Sequence, residues 1–277
     1  MRRARITITL NGELLNRIDN LVDGEHIRNR SHAIEYVISR NLQSQITTAV
    51  ILAGGKGSEL RPITYEVPKS LLPIKGKPLL EHLILKLKKA GVSHIVLCVG
   101  YLGHKIKEYF GDGKRWDLEI MYSEEKEIMG TGGAVLLAKK YIKDKPFLLI
   151  HGDIITDLSF TDLINFHMKE QPLVTAALTA VAKPAEFGQL ALHGTKLVTF
   201  FQKNPKHIKS HLVNCGIYAC EAAILDHFPS QTKSFYFEDV MVKLIRDKKV
   251  NGFVFNEAWF DVANPTNYER AIKHFRR

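Results

Sequence analysis

The chain has 277 residues, 45% of them hydrophobic and 25% charged, with a formal net charge of +10. That length suits one large domain with a small companion, enough to bury a sizeable core. No apolar run approaches the ~20 residues of a membrane span, and the Arg-rich start lacks the apolar stretch of a signal peptide, so a cytoplasmic protein with no membrane partner is expected. Cys98, Cys215 and Cys220 are odd in number and show no metal-type spacing, which suits small core residues in a reducing compartment. The first 48 residues hold seven Arg and five acids, so +8 of the net charge lies beyond them. The basic character therefore belongs to the body of the protein, as expected of one that handles phosphates.

From Arg2 to Leu10 apolar residues alternate: Ala4, Ile6, Ile8 and Leu10 on one side, Arg3, Arg5, Thr7 and Thr9 on the other. This period of two predicts a strand with one buried face. A helix follows over Glu13–Val22, with Leu14, Leu15, Ile18 and Leu21 at helical spacing, and Asp23-Gly24 ends it. Ser31 is the expected N-cap of a second helix, His32–Leu42.

A strand and two helices in about 45 residues cannot close a core alone. On Arg5-Ile6-Thr7-Ile8-Thr9-Leu10 and Asn29-Arg30-Ser31, the segment resembles the ribbon-helix-helix DNA-binding family. The resemblance implies a homodimer that pairs the two strands and lays the ribbon in the major groove of double-stranded DNA. Arg3, Arg5, Thr7 and Thr9 would read bases, and the free N–H groups at Ser31 would hold a phosphate. A dimerisation clip with a merely solvated strand face is the bland alternative. An exposed strand face of Arg and Thr without a single acid favours DNA. The expected division is a ribbon-helix-helix domain over 1–46 and a second domain over 47–277.

Thr47–Leu52 is an apolar run leading into Ala53-Gly54-Gly55-Lys56-Gly57, which reads as a buried parallel strand with a glycine-rich turn. Beyond it the spacing predicts a helix over Leu79–Ala90, strands over His94–Val99 and Leu118–Tyr122, a helix over Thr131–Ile142 and a strand over Phe147–Ile150. Such alternation predicts an open, mostly parallel α/β sheet that binds ligands at its strand C-termini. His151 and the other histidines show no ligand spacing and read as core or surface residues.

Several strings in this region fall in a recognisable order. They are Leu52–Thr64, Pro68-Lys69, Lys77-Pro78, Gly130-Thr131-Gly132-Gly133-Ala134, Gly152-Asp153, Gln202-Lys203-Asn204, Asn214–Tyr218, and Trp259-Phe260-Asp261 followed by Pro265 and Tyr268. Together they resemble the sugar-1-phosphate nucleotidyltransferases, and Phe147–His167 is most similar to the mannose-1-phosphate guanylyltransferase type. The resemblance implies a Rossmann-like domain that binds a nucleoside triphosphate or nucleotide sugar and a sugar 1-phosphate. Leu52, Ala53, Gly54, Gly55, Gly57 and Gly130 would hold the nucleotide. Lys69 would neutralise phosphate charge, Asp153 and Asp261 would hold Mg2+, and Gln202, Lys203 and Asn214 would face the sugar phosphate.

Three positions depart from the family pattern. Glu59 stands where the family places an Arg against the triphosphate, Gln202 replaces a Glu, and Ala263 replaces a Gly. A carboxylate facing an anion at ~4 Å reverses an interaction of about 4 kcal/mol before screening, for an effective dielectric near 20, and Arg61 offers partial compensation. The expected function is a DNA-binding transcriptional regulator. Its nucleotidyltransferase-like domain would bind a nucleotide, sugar phosphate or nucleotide sugar with impaired or absent catalysis. The alternative is an active sugar-1-phosphate nucleotidyltransferase whose N-terminal segment binds DNA or only dimerises.

Overall fold

The computed structural model describes residues 7–24, 27–43, 46–184, 187, 189–201, 209–230 and 234–275. It divides into two units, Met1–Gln45 and Ile46–Arg277.

The first unit holds α1 (Gly12–Asp19) and α2 (Arg30–Gln43). Asn11 caps α1 by accepting from the Leu14 N–H at 2.8 Å, and α1 ends three residues before the predicted Val22. The second helix starts two residues earlier than predicted. Asn29, not Ser31, is its cap, accepting from the His32 N–H at 2.9 Å; Ser31 therefore lies inside the first turn. Arg30 donates to both carboxylate oxygens of Asp19 at 2.7 Å, tying the helices together, although an exposed pair of this kind adds little stability. Of the predicted strand Arg2–Leu10, residues 2–6, with Arg3 and Arg5, lie outside the described residues, and Thr7–Leu10 forms no strand. A strand requires a partner for its backbone groups, and the described residues of this unit include no second strand.

The second unit opens with β1 (Thr48–Leu52), β2 (Pro73–Ile74) and β3 (Lys77–Pro78). Next come α3 (Leu79–Lys89), β4 (His94–Val99), α4 (Gly103–Phe110), β5 (Glu119–Glu124), α5 (Gly130–Ile142), β6 (Phe147–His151), β7 (Ile154–Thr156) and α6 (Phe160–Glu170). The remainder is β8 (Val174–Ala180), β9 (Gln189–His193), β10 (Lys196–Phe201), β11 (Leu212–Cys220), α7 (Phe237–Arg246), β12 (Val250–Val254), β13 (Trp259–Asp261) and α8 (Pro265–Phe275). Elements predicted up to Ile150 lie within a residue or two of these bounds, the usual uncertainty of helix and strand ends.

Nine strands form one sheet in the order β5-β4-β1-β6-β11-β8-β12-β10-β9. The run β5-β4-β1-β6 is parallel, and among the described strands only β11 and β10 oppose the common direction. The sheet is thus mixed but mostly parallel.

The pleat sends alternate residues to opposite faces. In β1, Ala49 and Ile51 join one core with Leu83, Ile84, Ile106 and Leu163. Val50 joins the other, with Val135, Ala138, Phe237 and Leu244. Both faces of β1 are therefore dry, which is why its sequence runs continuously apolar from Ala49 to Leu52 instead of alternating. A smaller cluster of Leu60, Leu72, Ile74, Val262 and Ala271 lies under α8. Among the described residues no helix is long and apolar enough to cross a membrane.

Candidate active site

The parallel strands β1 and β6 end side by side, with Leu52 paired to His151, so the loops that follow them meet. Gly152 donates its N–H to the Leu52 carbonyl at 2.8 Å, and a Cβ at Gly152 would stand 2.8 Å from that same oxygen. Only glycine permits this approach, and it brings Asp153 to the foot of the glycine-rich loop. Leu52, Ala53, Gly54, Gly55 and Gly57 form the exit of β1 and that loop. Gly57 has φ +60°, a left-handed conformation that favours glycine. Its carbonyl accepts from the Thr64 hydroxyl at 2.7 Å, and its α-carbon packs toward the stem of Lys69.

Lys69 donates from Nζ to Asp153 Oδ2 in a half-buried ion pair. Asp261 reaches the same place from the far end of the chain. Antiparallel β7 and β13 set Asp261 opposite Ile154, and the Val262 N–H donates to the Asp153 carbonyl at 2.9 Å. Burial works against the Lys69 charge, but the carboxylates of Asp153, Asp261 and Glu59 outweigh it and raise the ammonium above its usual range. Burial likewise opposes the Asp153 charge, and Lys69 and His151 outweigh it, so the carboxyl titrates below its ordinary value.

Lys69, Asp153 and Asp261 are thus brought together as the sequence predicts. Gly130 is the first residue of α5. Asn214 lies on β11 where the pairing shifts register, spanning the bulge by accepting from the Gly216 N–H at 3.1 Å and donating to the Tyr218 hydroxyl. Asn214, Asp153 and Asp261 line a common cavity of about 160 Å³ with Trp259, whose indole N–H donates to the Cys215 carbonyl at 3.1 Å. Glu59 sits on an exposed turn within electrostatic reach of Lys69. Arg61 lies 4.9 Å from the centre of the Tyr65 ring. Gln202 and Lys203 lie outside the described residues, and Thr7, Thr9 and Ser31 are exposed in the first unit.

Two residues of this cavity escape the sequence reading: His151 and Glu238. Their ring and carboxylate are 3.4 Å apart, an ion pair without hydrogen-bond alignment. Thr131 donates to the other Glu238 oxygen at 2.8 Å and accepts from the Phe237 N–H at 2.8 Å. Burial would lower the His151 pKa, yet Glu238, Asp153 and Asp261 outweigh it and raise it. His151 is therefore neither core nor surface but part of the charged floor. Its one visible signal is its place just ahead of Gly152-Asp153.

The profile of the nucleotidyl transferase family matches residues 48–277. The chain belongs to the nucleotidyl transferase family. It is 36% identical over 233 residues to the bifunctional protein GlmU of Methanococcus maripaludis, covering 82% of this chain and 54% of that protein. It is 30% identical over 224 residues to the mannose-1-phosphate guanylyltransferase of Mycobacterium tuberculosis, covering 80% and 62%. The chain thus spans little more than half the length of the curated relatives it matches. Among solved structures, HddC from Yersinia pseudotuberculosis superposes with a TM-score of 0.72 at 26% identity, covering 83% of this chain and all of that one. UDP-glucose pyrophosphorylase complexed with UDP-glucose gives 0.74 at 21% identity, covering 84% and 99%, and shares the fold. The nucleotidyl transferase match begins at the first residue of β1 and takes in the whole charged cluster.

Proposed function

We propose that the unit from Ile46 onward joins a nucleoside triphosphate to a sugar 1-phosphate, forming a nucleotide sugar and releasing pyrophosphate. The observation that carries this reading is the convergence of Lys69, Asp153 and Asp261 beside the glycine-rich loop. A sugar-phosphate oxygen attacks the α-phosphorus, and the protein's contribution is alignment and charge neutralisation. N–H groups of the Leu52–Gly57 loop and of Gly130 approach the nucleotide, and Lys69 neutralises phosphate oxygens once released from Asp153. Asn214 faces the sugar phosphate, the role the family resemblance also gives Gln202 and Lys203.

Asp153 and Asp261 offer hard carboxylate oxygens in one cavity, and among the described residues no larger set of acids, histidines or cysteines gathers into a metal cage. That donor set fits Mg2+, which is commonly held by one or two carboxylates together with substrate phosphates. The ion, when bound, would screen phosphate charge and orient the oxygens. Glu59 helps hold the Lys69 ammonium protonated, and the same carboxylate opposes an incoming triphosphate, so turnover is expected to be slow. Pyrophosphate release with Mg2+ across a panel of nucleoside triphosphates and sugar 1-phosphates tests this, with Glu59→Arg in parallel. Turnover in the parent supports an enzyme, turnover in the variant alone supports a sensor silenced at one residue, and turnover in neither overturns the reading.

A second reading, a DNA-binding regulator that senses its ligand, draws on the first unit. Its α1 buries no residue, and Ile8, Leu14, Leu21 and Ile38 are exposed. A second copy pairing through Arg2–Leu10 would cover them and present Arg3, Arg5, Thr7 and Thr9 to double-stranded DNA, with Ser31 at a phosphate. The test is a gel shift that weakens with salt as phosphate contacts require and is lost in Arg5→Ala. No shift at low salt on a random-sequence library would remove this reading.

A further inference from the structure

A second cavity lies next to the charged cluster, not within it. It encloses about 570 Å³ and shares Phe187, Trp259 and Asp261 with the smaller cavity that holds Asp153 and Asn214. A volume of 570 Å³ falls within the ~300–1,000 Å³ of small-molecule sites, whereas the inner cavity is below it. The shared wall is two aromatic rings in edge-to-face contact, with centroids 5.4 Å apart, a shape suited to the apolar face of a sugar ring.

The inner side carries three acids, Asp153, Asp261 and Glu238, with Lys69 and His151 paired against two of them. The outer side carries Lys183, from the segment after β8, and Arg270, on α8, together with Asn264, Thr266 and Asn267. Among the described residues, Asp261 at the shared boundary is the one acid in its lining. Among the described residues, neither Lys183 nor Arg270 has an ion-pair or hydrogen-bond partner. Both cations are exposed where they line the cavity, and an anion held between them would gain charge-assisted hydrogen bonds, bidentate from the guanidinium. A neutral hydroxyl gives no comparable return.

We propose that this outer cavity receives the far end of the sugar, and that Lys183 and Arg270 select sugar 1-phosphates bearing a second anionic group, a phosphate or a carboxylate. The inference rests on the transferase reading. It assigns the inner cavity to the reacting phosphate and the outer one to substrate choice.

Calorimetric titration with Mg2+ present tests it, using mannose 1-phosphate, mannose 1,6-bisphosphate and glucuronic acid 1-phosphate. One or both doubly anionic ligands should bind at least about tenfold more tightly than mannose 1-phosphate, the size of one charge-assisted contact. The tighter of the two identifies the second group. In Arg270→Ala and Lys183→Ala the affinity ratio should collapse toward one. In Lys243→Ala, on the exposed face of α7, it should persist. Equal affinities in the parent, or a ratio surviving both cavity variants, would overturn the inference and leave the transferase reading intact. Binding of none of the three ligands would overturn both.

Discussion

The two units differ in where their apolar side chains go. In the larger unit a single strand, β1, feeds two cores through alternate residues, and Phe237 and Tyr218 pack ring to ring at 4.9 Å with no exposure. In the smaller unit Ala33 is buried, while Ile8, Leu14 and Ile38 are 42–47% exposed. The larger unit completes its core from its own chain, as a domain of its size is able to, whereas about 45 residues bury too little surface to stand alone. Completeness also governs function: the larger unit assembles Lys69, Asp153 and Asp261 internally, whereas the described residues of the smaller unit bring together no comparable cluster.

The comparison breaks first at the core. Phe237→Ala should cost about 3–5 kcal/mol through lost burial and a cavity, read as a large fall in the denaturation midpoint. A loss below 1 kcal/mol would mean that the two cores are looser than described. At the site, Asp261→Asn should lower Mg2+-dependent pyrophosphate release by roughly 10²–10³-fold, the scale of removing one group that stabilises transition-state charge. An unchanged rate would detach Asp261 from the chemistry.

Acid sharpens the contrast next. His167 is fully buried, its Nδ1 lies 2.8 Å from the Thr175 hydroxyl, and burial pushes its pKa down to about 4. Unfolded histidine binds a proton below ~6.5, so the unfolded state holds more protons than the native one between these values. The larger unit should therefore lose stability as pH falls from 6.5 to 4, by at most roughly 3 kcal/mol, because the Glu221 carboxylate 3.4 Å from Nε2 favours the proton and works against the burial. The loss should shrink in His167→Gln, whereas an equal acid sensitivity in that variant would assign the effect elsewhere. The smallest effect is expected at Leu14, which is 42% exposed. Leu14→Asp should leave the melting of the larger unit within about 0.5 kcal/mol but shift sedimentation from dimer toward monomer. Monomeric behaviour in the parent would remove the dimer.

Legibility followed the same division. Thr48–Leu52 is visible because four consecutive apolar residues, Ala49–Leu52, form a continuous run in a strand covered on both faces, and the glycine-rich loop stands directly after it. Asp153 and Asp261 were visible only through family resemblance, since the β7–β13 pairing that unites them has no expression in local spacing. His151 was passed over for that reason: its partner Glu238 comes from α7, far along the chain. The cap of α2 was misplaced by two residues because Asn29 and Ser31 are both good N-caps, and the hydrogen bond to His32 selects Asn29. The period of two over Arg2–Leu10 is legible as a pattern, but a strand needs a second strand to pair with, and the described residues of this unit supply none.

The most direct test is exchange of labelled pyrophosphate into a nucleoside triphosphate, driven by a nucleotide sugar and Mg2+, in the parent and in Lys69→Ala. Exchange in the parent that depends on both the metal and the sugar, and falls at least about a hundredfold in Lys69→Ala, is the predicted result. Parent exchange that Lys69→Ala leaves unchanged, or no exchange with any nucleotide sugar, would contradict the assignment of this cluster to nucleotidyl transfer.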